Sequence, residues 1–131
     1  MRRIHLLFFF LIPAALGACG SEPSDPCVSV TPTVALDGPA PVFAWSASCP
    51  LGALDVTPAE STDVFAWFVL ADPGENTILP PVTYGGEAEG AAVSSPQTDS
   101  LVSGRAYRVH LLRSVGALGL AFVGETEFTM P

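Results

Sequence analysis

The chain has 131 residues, room for one domain, and its thirteen acidic side chains outweigh five arginines, with no lysine at all. Two of those arginines lie in the first three residues and every acid lies beyond residue 20, so three arginines face thirteen acids in the remainder, a formal charge of about −10. That balance argues against nucleic acid and anionic lipid headgroups as partners, and the scattering of the acids reads as a solvated surface.

The N-terminus reads Met1-Arg2-Arg3, then an almost unbroken apolar run over residues 4–16 that includes Phe8-Phe9-Phe10. A short basic start, an apolar stretch of about a dozen residues and a small-residue exit form a secretory signal over residues 1–18. A membrane-spanning helix needs roughly 20 apolar residues, and Pro13 and Gly17 interrupt this run.

Leu16-Gly17-Ala18-Cys19 resembles the lipobox of bacterial lipoproteins: an aliphatic residue, two small ones, then the cysteine to be modified. Small residues let the peptidase bind an extended segment at the membrane surface. The resemblance implies cleavage before Cys19 and lipidation of its thiol, which makes the membrane a partner through that lipid. Stable anchoring takes at least two chains, as the family supplies. Gly20, rather than aspartate, follows the cysteine, and the family rule then points to the outer membrane of the cell envelope. Residues 20–26 form a polar, proline-containing tether of at most roughly 25 Å.

With Cys19 given to lipid by that resemblance, Cys27 and Cys49 are left, in a compartment where disulfides persist. Asp37-Gly38-Pro39 is a turn signal midway between them, flanked by strand-like residues 31–36 and 42–47. Folding about Gly38 sets residue 27 opposite residue 49. In that register Val30 and Val34 share a face with Val42 and Ser46, while Phe43 and Trp45 point the other way. A bulge is expected to correct this.

From residue 27 onward short β-type runs alternate with turn signals and no amphipathic helix appears. The runs are 64–70 (V-F-A-W-F-V-L), 78–84 broken by Pro80-Pro81, a weak 91–93, 105–113 (R-A-Y-R-V-H-L-L-R) and 120–129. This spacing predicts an all-β antiparallel sandwich over residues 27–131.

Residues 101–109, L-V-S-G-R-A-Y-R-V, resemble the L-x-x-G-x-x-Y-x-V approach to strand F of fibronectin type III domains, and Phe43-Ala44-Trp45 resembles that family's strand B. The likeness implies a fibronectin type III-like, or more loosely immunoglobulin-like, sandwich with a tyrosine corner at Tyr107, whose hydroxyl returns to the backbone. Tyr107, Val109 and Leu111 would face inward, with Arg108, His110 and Leu112 outward. Phe122 and Phe128 would fill the inner face of the last strand. Residues 51–57 read as an extra segment lengthening the connection between the family's strands B and C.

Catalytic motifs are absent: no Gly-x-Ser-x-Gly, HExxH, P-loop or dinucleotide fingerprint occurs, and nothing implies a cofactor or metal. Asp72-Pro73-Gly74-Glu75-Asn76 is too short for a calcium loop and reads as a β-turn. Binding is the stronger class. In 64–70, Phe65, Trp67 and Val69 can fill the core, leaving Phe68 outward near Arg108 and His110 if their strands are neighbours. Aromatic plus arginine on a sheet face has the composition of an interface hot spot. Leu118, in the apolar loop 115–120, is a second candidate contact. The expectation is a non-catalytic interaction or structural module for envelope proteins or polysaccharide. A hydrolase would need a cleft that collects His110 with carboxylates.

Overall fold

A computed structural model describes residues 24–95, 100–117 and 119–131. Cys19, the leader and Leu118 lie outside the described residues. After one 3-10 turn at Pro26–Val28 come eight strands: β1 Thr33–Ala35, β2 Val42–Ala44, β3 Ala53–Pro58, β4 Trp67–Leu70, β5 Val82–Thr83, β6 Val93–Ser94, β7 Ala106–Ser114 and β8 Leu120–Thr129. They form two antiparallel sheets, β1-β2-β5 and β6-β4-β3-β7-β8. Among the described residues no helix is long and apolar enough to cross a membrane.

The sheets face each other across one apolar core. Phe43 of β2 meets Phe128 of β8 at 5.7 Å between ring centroids, and Phe128 stacks on Tyr107. Cys27 and Cys49 are disulfide-bonded at a Cα separation of 5.4 Å, both buried. The expected conflict over Trp45 is resolved by register rather than by a bulge in β1 or β2. Val34 pairs with Phe43, one residue off the pairing that would set Cys27 across from Cys49. Phe43 and Trp45 therefore both face the core. The spare residue is absorbed in a turn where the Cys49 N–H bonds to the Ser46 carbonyl, 3.0 Å, and the Trp45 indole donates to the Cys49 carbonyl, 2.9 Å.

Residues 51–57 are no mere extension. Ala53–Pro58 is the central strand of the larger sheet, buried on both faces, with β4 on one side and β7 on the other. The strand bearing Phe68 is therefore one place removed from the strand bearing His110. Tyr107 behaves as expected: its hydroxyl accepts the Val102 N–H at 2.9 Å.

Two local irregularities change which side chains reach the outer face. On β4, Trp67 is the register partner of Val56, yet the Ala66 N–H also bonds to the Val56 carbonyl at 2.8 Å. Two residues thus oppose one, which reverses the alternation before Trp67. On β8, Leu111 pairs with Gly124 and Leu112 with Phe122, leaving Val123 as the additional residue. The Val30 N–H donates to the Val123 carbonyl at 2.6 Å, and a Cβ on Gly124 would overlap the Val30 carbonyl oxygen. Only glycine admits that crossing chain. The consequence corrects two expectations: Phe65 and Phe122, both expected in the core, stand outside at 53 % and 68 % exposure.

Candidate functional site

The outer face of the five-stranded sheet can be read row by row from its register. Phe68, Asp55, His110 and Glu125 are successive cross-strand partners in one row. In the next row stand Leu70, Ala53, Leu112 and Phe122. Thr57, Arg108 and Glu127 form the row on the other side. Ala53 is the smallest side chain in its row and sits between two leucines, so the surface dips there. The result is a groove of about 350 Å³ on the open side of the sheet. Phe65 packs edge-on against Phe68 along one wall, at 5.9 Å between centroids. Phe122 stands edge-on to the His110 ring at 5.3 Å on the other.

The floor of this apolar groove is polar. The His110 Nδ1 lies 2.6 Å from Asp55 Oδ1, and its Nε2 lies 3.6 Å from Glu125 Oε2. An ionised carboxylate can only accept, so Nδ1 carries the proton toward Asp55. Asp55 is 9 % exposed. Burial raises its carboxyl above the ordinary aspartate value, and the hydrogen bond and Coulombic attraction from His110 offset part of that rise. Thr57, two positions along β3 on the same face, is 2 % exposed, and its hydroxyl has no hydrogen-bond partner.

Of the expected surface residues, Phe68 and His110 line the groove, with Asp55 between them. Arg108 shares the sheet face but is engaged with Glu127 at 3.4 Å and is not part of the groove lining. Leu118 lies outside the described residues, while Val115 and Leu120 beside it are exposed. The Asp72–Asn76 segment is a turn, closed by the Glu75 N–H on the Asp72 carbonyl, and Asn76 clamps both backbone groups of Ser114. Among the described residues no group of three or more His, Cys, Asp or Glu is placed to hold a metal ion.

Sequence reasoning missed Asp55, Thr57, Phe65, Phe122 and Glu125 as members of the site. The alternation A-L-D-V-T carried one usable signal, since Leu54 and Val56 mark the core face and leave Asp55 and Thr57 opposite. No family model, no curated protein and no solved structure matches the chain.

Proposed function

We propose that this protein is a lipid-anchored component of the bacterial cell envelope whose β-sandwich works as a non-catalytic interaction module. In this reading Cys19 carries the lipid, residues 20–26 are the tether, and the membrane is reached through that anchor. The domain is of fibronectin type III character. Supporting that assignment, β1-β2-β5 follow the order A-B-E and β4-β3-β7-β8 the order C′-C-F-G, with the Tyr107–Val102 hydrogen bond at the corner. On this lettering β3 is strand C, and the apparent insertion between B and C disappears.

The observation that carries the interaction reading is the pair of bulges that turns Phe65 and Phe122 outward onto one groove. Bulges re-aim side chains next to functional surfaces. A photoreactive side chain placed at Phe122 should give a discrete adduct in intact envelopes, while one at the exposed Thr129 of the same strand gives background. Equal yields at the two positions would remove the groove from the reading. Mass spectrometry of the mature N-terminus tests the anchor: an unmodified Cys19 would remove it.

A second reading, a small envelope hydrolase, draws on His110 held between Asp55 and Glu125 in the groove. Nucleophilic hydrolysis requires a hydroxyl or thiol within hydrogen-bond reach of the histidine. The groove's threonines are Thr57, whose hydroxyl is unpartnered, and Thr62, whose hydroxyl faces Asp63. Ester hydrolysis abolished by His110→Ala would favour this reading over the first.

A further inference from the structure

The groove offers more than an apolar surface, because its floor keeps polar groups that the fold leaves unused. Asp55 spends one oxygen on His110, and its second oxygen accepts no hydrogen bond from the described residues. The Thr57 hydroxyl is buried and unpartnered in the lining of the same groove. Buried polar atoms without a partner are rare and each calls for an explanation. The Thr57 hydroxyl is such an atom, whereas the second Asp55 oxygen is not fully buried. The two residues sit on one face of β3, and a donor placed between them lies about 3.3 Å along the strand from each row.

The charge around these groups selects the sign of that donor. Every arginine among the described residues is already engaged with a carboxylate: Arg105 with Glu60, Arg108 with Glu127, and Arg113 with Asp25. Asp55 therefore faces the groove with His110 as the sole basic group in its lining, and the solvated Glu125 adds a second carboxylate beside His110, outside the lining. The rest of the described surface adds further acids and no free arginine. An anion entering here meets net negative charge in a partly desolvated site, whereas a cation meets a carboxylate oxygen ready to accept. The walls are aromatic and aliphatic: Phe65, Phe68, Leu112 and Phe122. A volume near 350 Å³ is at the small end of ligand pockets.

Building on the interaction reading, we propose that this groove binds a small apolar amine. Its ammonium bonds Asp55 and Thr57, and its apolar body lies between Phe68 and Phe122. The ammonium supplies three donors, enough for the free Asp55 oxygen and the Thr57 hydroxyl with one left toward solvent. A second copy of the chain is a poor occupant, since it brings the same negative charge.

The test holds the apolar body constant and changes only the head group. The whole mature chain, in neutral detergent, is titrated with 3-phenylpropylammonium, 3-phenylpropanol and 3-phenylpropanoate and followed by amide NMR shifts. The ammonium should move resonances of β3, His110 and Phe122 and bind about ten-fold tighter than the alcohol, with the carboxylate weakest. Asp55→Asn should bring the ammonium-to-alcohol ratio close to one. Thr57→Val, which keeps the shape, should lower ammonium affinity about three-fold and leave the alcohol unchanged. Equal binding of all three heads at these residues would overturn the amine assignment while leaving the groove a binding surface. No shift in the groove with any head also overturns it. In that case a surviving adduct at Phe122 would still uphold the interaction reading with a different ligand.

Discussion

The two faces of the five-stranded sheet are built on the same strands and end in different states. On the inner face Leu54, Val56, Trp67, Val69, Val109 and Leu111 are fully buried against the smaller sheet, closed off from solvent. The only polar side-chain atom among them is the Trp67 indole N–H, which has no hydrogen-bond partner. On the outer face Asp55, Thr57 and Leu112 are buried too, but the rings around them are left half in water. The inner face is what any sandwich of this kind requires, since hydrophobes of the right volume would satisfy it. Nothing in the fold requires an Asp–His pair under an open aromatic rim. The difference separates residues that specify the structure from residues available for a task.

The sharpest way to break the inner face is to empty it. Trp67→Ala should cost about 3–5 kcal/mol of unfolding free energy, read from denaturant midpoints, because the cavity forms in a site that collapses poorly. Removing the staple with paired Cys27→Ser and Cys49→Ser substitutions should cost about 3 kcal/mol by releasing the loop between them in the unfolded chain. Gly124→Ala tests the bulge itself. Its methyl group would overlap the Val30 carbonyl oxygen, so a loss of about 1–3 kcal/mol is expected for so small an addition. A neutral outcome would mean that the 28–32 crossing is not pinned to β8.

The outer face should answer differently to an equally large truncation. Phe122→Ala deletes a whole ring, yet the ring is mostly solvated, so stability should stay within about 0.5 kcal/mol of the parent chain. Loss of the groove adduct without loss of stability would complete the contrast with Trp67. If Phe122→Ala destabilised as much as Trp67→Ala, the outer ring would belong to the core in all but position.

What the sequence disclosed and what it hid follow the same division. Strand runs, turn signals and the tyrosine corner depend on local residue chemistry, and Tyr107, Val109, Leu111 and Phe128 stand where alternation puts them. The disulfide pairing was accessible only through the lipobox resemblance, which set Cys19 aside and left Cys27 and Cys49. The central strand β3 was not, because Gly52, Asp55 and Pro58 give it the composition of a loop and its identity comes only from neighbours on both sides. Bulges are the harder case. One inserted residue reverses the parity of everything beyond it and leaves composition untouched, so Phe65 and Phe122 were legible as aromatic strand residues but not as surface ones. Gly124 was the single local hint, a glycine interrupting an otherwise β-rich run. The site was half legible in consequence: Phe68 and His110 were readable as outward, while Asp55 needed the sheet order to be placed between them.

The smallest expected effect on folding is also the most informative about the outer face. Burial raises the Asp55 carboxyl above its unfolded value despite the attraction from His110. A carboxyl shifted upward in the folded state binds its proton more tightly there than when unfolded. Its contribution to stability is therefore most favourable below the unfolded aspartate range and declines as pH rises through the folded value. At neutral pH the ionised group is a liability that Asn would lack, while the Asn carbonyl can still accept from His110 Nδ1–H. Asp55→Asn should consequently raise the melting temperature at pH 7, and the gain should fade as pH falls to about 3, near and below the unfolded aspartate value. The opposite result, a loss at pH 7 that grows with pH, would make the carboxylate part of what holds the sheet together. A gain in stability combined with weaker ammonium binding would instead mark Asp55 as a residue kept for what the groove holds.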